Sequence, residues 1–321
     1  MKSVLAALIT AFAGIVFAQS PTSFPTRPVV IVVPGTPGSG SDIIARILAE
    51  RMRVSLGQPV IVENTPGANG NIGTARVARA APDGYTIVFG VWNTHVSNAA
   101  LYPLTFDVVK DFEPIAQITE AGRLILTRTS VPANDLAGLV AWMKAQPNEI
   151  SNGAAMGSME HVAGALFATA TGTRIQHVPY KGPAPALIAL MAGEIDLMIT
   201  GITESIGYIR AGKLKAYAVT ANTRFPAAPE VPTVDEAGLP GFYAAQWTAL
   251  WAPKGTPRAI IEKLNGAVVD ALSDPAVRAR FPEPAVIIAR ERQTPEALRA
   301  KQRAEIEKWW PVIKAANIKI E

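Results

Sequence analysis

Short apolar runs alternate with amphipathic runs from residue 29 onward. Residues 29–33 are continuously apolar, which is typical of a strand buried on both faces of a parallel sheet. Further strands are predicted at 60–62 and 86–89, with one helix after Asp42 and another at about 71–80. This βαβαβ order predicts a parallel, doubly wound sheet with helices on both faces.

The alternation restarts in the second half of the chain. Strands are predicted at 149–154, 175–178, 195–199 and 214–219, and helices at 136–145, 161–171, 185–191 and 205–211. A Pro-rich stretch at 225–240 precedes a long predicted strand at 242–252 and a last helix at about 294–316. Two such units predict a bilobed α/β protein whose ligand cleft lies between the lobes.

The chain is expected to cross between the lobes more than once, with the C-terminal helices returning to the first lobe. We assign residues 19–122 and 243–321 to lobe one, 123–242 to lobe two, and hinge crossings to about 120–126 and 220–245. Each lobe is expected to be a doubly wound α/β unit, so a ligand in the cleft would contact both.

The N-terminal segment has the pattern of a secretory signal peptide. Lys2 precedes an uncharged apolar run at 5–17, and Ala18 is a small residue in front of the expected cleavage at Gln19. The run is shorter than the roughly 20 residues that a membrane-spanning helix needs. We therefore expect residues 1–18 to be removed and the mature protein to be soluble and periplasmic.

Composition excludes several classes of function. Charged residues make up 17% of the chain, and the 30 basic residues form no dense stripe of the kind that binds nucleic acid. The net charge of +4 modestly favours anionic partners. Absence of cysteine excludes disulfides, thiol nucleophiles and cysteine-based metal sites. The three histidines have no metal-binding spacing, so neither a metal nor another cofactor is expected.

The loop between the first predicted strand and helix is the most informative segment. Its candidate ligand-binding residues are Pro34, Gly35, Thr36, Pro37, Gly38 and Ser39. A Gly-rich loop before a helix N-terminus offers free N–H groups and a positive dipole to an anion. Ile43 replaces the third glycine of a dinucleotide fingerprint, and Ser41 and Asp42 replace the Lys and Ser/Thr of a P-loop. A carboxylate-binding loop and a plain tight turn both remain open.

Three further groups of residues are candidates for the site. They are Met156, Gly157, Ser158 and His161 before a predicted helix, Thr200 and Gly201 after a strand, and Trp92 and Asn93 after another strand. Thr200 and Gly201 fit a donor loop or an ordinary left-handed turn. Trp92 and Asn93 fit a pocket wall or a core Trp with a capping Asn. A serine-hydrolase site is disfavoured, because no G-x-S-x-G elbow surrounds Ser158. Donors at helix N-termini bind an anion without any buried Lys or Arg.

Six segments in order resemble the substrate-binding proteins of tripartite tricarboxylate transporters, also called Bug receptors. They are VVIVVPGTPGSGSD at 29–42, VIVENTPGANGNIG at 60–73, APDGYT at 81–86, DFEPIA at 111–116, HVPYKG at 177–182 and GEIDLM at 193–198. Jointly these motifs are specific, and they extend over most of the mature chain. Two departures stand out, since Gly35 replaces a bulky residue and Thr36 replaces a Pro.

The resemblance implies a periplasmic-binding-protein fold of the type II-like class that binds a ligand without chemistry. It implies small carboxylate ligands: di- and tricarboxylates, acidic amino acids or aromatic carboxylates. In the family, the loops matching residues 34–39 and Gly157, Ser158 and His161 bind a carboxylate through amides and hydroxyls. Met156 and Met159 beside the second loop favour a ligand with an apolar body.

The expected function is an extracytoplasmic receptor that closes its lobes on a carboxylate and delivers it to membrane transporter subunits. A monomer without catalytic residues is expected. Two alternatives remain open: an exported hydrolase or lyase that uses the same cleft, and a ligand sensor for a membrane kinase. Turnover that is lost in Ser158→Ala would indicate the enzyme, whereas binding without turnover would indicate a receptor.

Overall fold

The computed structural model describes residues 24–146, 148–281 and 286–315, which form two five-stranded sheets flanked by helices. The predicted signal peptide lies outside the described residues. The first sheet has the order β2 (Val60–Asn64), β1 (Val29–Val33), β3 (Thr86–Val91), β10 (Ala245–Pro253) and β4 (Phe112–Gly122). The second has the order β7 (Ile175–Pro179), β6 (Ile150–Ala154), β8 (Leu197–Thr200), β5 (Leu124–Arg128) and β9 (Leu214–Val219).

Ten α-helices connect the strands among the described residues. They are α1 (Gly40–Leu56), α2 (Asn71–Ala78), α3 (Asn98–Leu101), α4 (Leu136–Ala145), α5 (Met159–Thr171), α6 (Pro183–Ala192), α7 (Ile202–Arg210), α8 (Arg258–Ser273), α9 (Pro275–Arg278) and α10 (Pro295–Ala315). The predicted bilobed α/β architecture is confirmed. None of the helices in the described ranges combines the length and apolar character of a membrane-crossing segment.

Both sheets are mixed, and the parallel arrangement predicted for the first three strands is confirmed. β1 runs parallel to β2 and β3, and β6 runs parallel to β7 and β8. In contrast, β10 is antiparallel to β3 and β4, and β5 is antiparallel to β8 and β9. Each of these two reversed strands is the first in its sheet after the chain arrives from the other sheet. No helical crossover within the same sheet therefore precedes either strand, and such a crossover is what makes neighbouring strands parallel.

Two backbone crossings join the sheets side by side. Arg123 is the single residue between β4 of the first sheet and β5 of the second. Its N–H donates to Thr220 Oγ1 over 2.7 Å, and its carbonyl accepts from the Thr220 N–H over 2.8 Å. Thr220 Oγ1 also donates to the carbonyl of Ala244, just before β10. A Cβ on Gly122 would lie 2.9 Å from Ala221 Cβ, so glycine allows this close approach.

A core of large aromatic side chains lies behind the crossings. Trp92, Trp247, Trp251 and Trp309 are among the largest fully buried side chains. The Trp92 and Trp309 rings meet edge to face at 5.4 Å, and α10 packs against both β4 and α5. The C-terminal helix therefore contacts the first sheet and a helix that packs on the second sheet.

Candidate ligand-binding cleft

A cavity of about 280 Å³ lies between the two sheets, in front of the crossings. The start of α1 contributes Ser39, Gly40, Ser41 and Ile44. The strands of the first sheet contribute Val91, Thr119, Ala121, Gly122, Gln246 and Thr248. Arg123 lines the cavity from the crossing itself, and the start of α7 contributes Gly201, Ile202, Thr203 and Glu204. Elements on both sides of the crossings therefore supply the wall, which is the arrangement expected for a cleft that closes on its ligand.

The start of α1 directs polar groups at the cavity. Ser39 caps the helix, since its Oγ accepts from the Asp42 N–H over 3.4 Å. Helix geometry leaves the N–H groups of Gly40 and Ser41 without an intrahelical acceptor. These amides and the positive end of the helix dipole suit a carboxylate.

The helix predicted to follow Asp42 begins earlier, at Gly40, so Asp42 is part of α1. It lies in the first turn, where its carboxylate accepts from the Gly38 N–H over 2.9 Å and from Arg46 and Asn64. Burial alone would raise the pKa of Asp42, but the hydrogen bonds from Arg46, Gly38 and Asn64 hold it below its ordinary value. The ionised carboxylate fixes the loop before α1, so this Asp serves the shape of the site.

The start of α7 faces the cavity from the second sheet. Gly201 precedes the helix with φ −68°, and no side chain caps this end. The left-handed-turn interpretation of Gly201 is therefore wrong. A Cβ on Gly201 would overlap Glu204 Oε2 and lie 2.9 Å from Arg123 Nη1, so the ends of these two flexible side chains would have to move to admit it.

The strands beside the crossings add three kinds of polar group. The hydroxyls of Thr119 and Thr248 are hydrogen-bonded at 2.7 Å, and the half-buried Gln246 lies near them. Arg123 Nη2 lies 3.2 Å from Glu160 Oε1 in the first turn of α5. The cavity wall thus includes a half-buried Arg, which the sequence-based prediction did not call for. The only signal for Arg123 in the sequence is its place inside the predicted crossing at 120–126.

The loop before α5 lies outside the cavity wall, and its polar groups bond to one another. The Gly157 N–H donates to His161 Nδ1 over 3.0 Å, and the His161 N–H donates to Ser158 Oγ over 3.3 Å. Burial lowers the pKa of His161 to about 4, so the imidazole is neutral at neutral pH. The predicted donor amide of Gly157 is therefore already used. Because Nδ1 is also occupied, that nitrogen cannot take a proton from Ser158.

The remaining predicted residues divide between surface and core. In the first loop, Thr36, Pro37 and Gly38 are exposed, Pro34 and Gly35 are half-buried, and only Ser39 lines the cavity. Asn93 and Met156 are half-buried outside the wall, and Thr200 is buried directly before Gly201. Of the predicted residues, the cavity brings together Ser39 and Gly201.

Trp92 belongs to the core rather than to the cleft. Its side chain is fully buried, and Nε1 donates to Glu305 Oε2 over 3.0 Å. The methionines near residue 157 also give no apolar wall, since Met159 is buried and Met156 does not line the cavity. The apolar wall instead comes from Ile44, Val91 and Ile202.

A second cavity, of about 320 Å³, lies on the first sheet's side between β4, α8 and α10. Its charged groups are paired with one another: Glu113 with Arg299 at 2.7 Å, and Arg258 with Glu262 at 2.7 Å. No residue of the second sheet reaches it. In the described part of the chain, no three His, Asp or Glu side chains are arranged to hold a metal ion.

Comparisons with known families and proteins agree with one another. A model of the family described as tripartite tricarboxylate transporter family receptor matches residues 44–318. BugT of Bordetella pertussis is 34% identical over 319 residues, which are 98% of this chain and 97% of BugT.

Two solved structures of Rhodopseudomonas palustris proteins hold dicarboxylates. MatC, with bound malate, is 38% identical, has a TM-score of 0.75, and is matched over 90% of this chain and 100% of MatC. Rpa4515, with adipate, is 34% identical, has a TM-score of 0.76, and is matched over 92% of this chain and 99% of Rpa4515.

Proposed function

Because the chain belongs to the tripartite tricarboxylate transporter family of receptors, we propose that it binds a small carboxylate between its lobes and delivers it to a membrane transporter. The location that follows is the periplasm, reached after removal of residues 1–18. Malate and adipate in the related structures support a carboxylate as ligand.

The observation that carries the proposal is the set of donors around the cavity. The first turns of α1 and α7 enter it from different sheets, and Arg123 enters beside the crossings. Backbone N–H groups, hydroxyls and a guanidinium are hydrogen-bond donors, which an anion needs and a cation does not. A carboxylate held between the two helix starts would bridge the sheets.

Closure about the two crossings is the proposed mechanism. Residues 19–122 and 243–321 would move as one lobe and 123–242 as the other, because only Arg123 and residues 220–244 connect them. A ligand bound at the start of α1 favours the closed form to the extent that closure adds contacts between the ligand and the start of α7. The closed surface is then what the transporter recognises.

A ligand should raise the melting temperature of the protein. With ligand at about 100 times its dissociation constant, stabilisation is about 2.7 kcal/mol. For a chain of this size that corresponds to a rise of about 4 °C. The measurement is a thermal-shift screen of the protein from Gln19 onward, unfolded and refolded to remove carried ligand, against malate, adipate, citrate, aspartate and benzoate.

Neutral amides provide the matched control for the screen. Adipamide has the length of adipate without its charges, and no shift is expected with it. A dose-dependent shift with a carboxylate and no turnover of that carboxylate or its esters supports a receptor. Turnover, or no response to any carboxylate, would contradict the proposal.

A further inference from the structure

A loop with a strained backbone lies beside the first-lobe binding loop. Its four consecutive residues Gly67, Ala68, Asn69 and Gly70, here called the 67–70 loop, have positive φ angles of 122°, 46°, 53° and 88°. Glycine adopts such angles freely, whereas Ala68 does so at a cost and Asn69 at a smaller one. Both side chains are exposed, so burial of these side chains does not hold the backbone in this conformation. A strained backbone of this kind persists where contacts from elsewhere impose it.

Asn98 supplies those contacts from beneath the 67–70 loop. Its side chain is fully buried. Its Oδ1 accepts from Asn69 Nδ2 over 3.0 Å, and its Nδ2 donates to the Asn69 carbonyl over 3.0 Å and to Asn71 Oδ1 over 2.7 Å. One buried amide thus bonds both the side chain and the backbone of Asn69, at the point where the backbone is strained.

The 67–70 loop and the helix after it pack closely against Pro34. A Cβ on Gly70 would lie 3.2 Å from the Pro34 carbonyl oxygen, and a Cβ on Gly73 would lie 3.1 Å from Pro34 Cα. No side chain therefore separates these backbones. Pro34 directly follows β1, and the residues after it lead to Ser39 and the start of α1 in the cavity wall. A change in the 67–70 loop would therefore reach the start of α1 through Pro34.

We propose that Asn98 positions the start of α1 from outside the cavity wall. It holds Asn69 in the left-handed conformation, which keeps the 67–70 loop against Pro34. The directions of the Gly40 and Ser41 N–H groups then depend on Asn98, although its side chain does not line the cavity. This inference rests on the proposed function and adds to it a residue that sets the affinity without touching the ligand.

Asn98→Ala in refolded, ligand-free, ¹⁵N-labelled protein tests the positioning itself. The amide signals of Gly40 and Ser41 should move relative to wild type, whereas the signal of Gly201 at the start of α7 should not. Asn265→Ala is the matched control, because Asn265 also donates two hydrogen bonds to backbone carbonyls in the first lobe, over 2.8 and 2.7 Å. It should lower the melting temperature and leave the Gly40 and Ser41 signals in place.

Titration calorimetry with malate and adipate measures the consequence for binding. If the 67–70 loop keeps its present form about a tenth of the time in Asn98→Ala, the affinity falls about tenfold. Asn69→Ala removes the side-chain bond to Asn98 and keeps the strain, so a loss of about tenfold is expected again. Asn69→Gly removes the same bond but adopts a positive φ freely, and its affinity should stay within about threefold of wild type.

The outcomes separate this inference from the proposed function. Unmoved Gly40 and Ser41 signals in Asn98→Ala, or equal affinities of Asn69→Ala and Asn69→Gly, would overturn the inference alone. If Asn98→Ala does not fold, the two variants at the exposed Asn69 decide the question, by affinity and by the same amide signals. A wild-type protein that binds no carboxylate would overturn the proposed function, and the signals of the ligand-free protein would still decide whether Asn98 positions α1.

Discussion

Gly40→Asp is expected to lower the affinity for a carboxylate about 1,000-fold without unfolding the protein. Gly40 is the first residue of α1 and lines the cavity, and a Cβ built on it meets nothing within 4 Å. An Asp there would place a negative charge where the ligand's carboxylate is proposed to bind. Two like charges about 4 Å apart repel by about 4 kcal/mol at an effective dielectric constant of about 20.

The helix itself should tolerate this charge. An acidic side chain in the first turn interacts favourably with the helix dipole, so the melting temperature without ligand should not fall. Gly40→Asn has nearly the same shape without the charge, and it should bind at least about 30-fold more tightly than Gly40→Asp. Equal affinities of the two variants in titration calorimetry would place the carboxylate elsewhere.

Acidification from pH 7.5 to 5 is expected to lower the free energy of unfolding by about 5 kcal/mol. Burial lowers the pKa of His95 to about 3 and, together with the neighbouring His161, that of His177 to about 4. His161 itself has its pKa lowered by burial to about 4. His95 stacks on Trp251 at 3.8 Å, in surroundings that cannot solvate a charge.

The direction follows from where protons bind. In the unfolded chain each histidine takes up its proton near the ordinary pKa of about 6.5, whereas the folded protein keeps all three neutral until pH 4 or below. The unfolded state therefore gains protons as the pH falls below about 6.5, and each histidine removes up to about 1.4 kcal/mol per pH unit. The stability that the three neutral histidines contribute is fully present above about pH 6.5.

Urea unfolding at a series of pH values measures this slope. His177→Gln, which removes the least buried of the three imidazoles, should reduce the slope between pH 6.5 and 5 by about a third. Glu113 and Glu120 also have lowered pKa values: burial alone would raise them, but Lys254, Lys301 and nearby Arg residues outweigh it. These two carboxyl groups change the free energy of unfolding mostly below pH 5. A flat stability profile between pH 7.5 and 5 would contradict the burial of the histidines.

Local patterns predicted the elements that begin the first lobe. Residues 29–33 are the strand β1, as predicted, and a helix follows them, which ends at Gly57 in a left-handed conformation. The strands β4 and β5 were not predicted, because residues 112–128 run through both sheets without a turn signal. Arg123 alone separates them, and its role depends on two sheets that a local pattern does not relate.

The site residues that the sequence predicted correctly lie at the start of a helix. Ser39 and Gly201 line the cavity because a strand, a short loop and a helix N-terminus bring them there. The loop before α5 has the same pattern, yet the Gly157 N–H bonds to His161 of its own helix. Which donors are already used depends on side-chain contacts within the fold. Gln246 lines the cavity from β10, far along the chain from the other residues of the site. Its place there, like that of Arg123, depends on how distant strands pair and not on a local pattern.

Amide chemical shifts of ¹⁵N-labelled protein test directly whether a carboxylate binds between the lobes. Adding malate or adipate to refolded protein should shift the amide signals of Gly40 and Ser41 together with those of Gly201 and Ile202. These four N–H groups lie at the two helix starts that line the cavity. Shifts confined to residues such as Glu113 and Arg258 around the second cavity, with the helix starts unchanged, would contradict the proposed cleft.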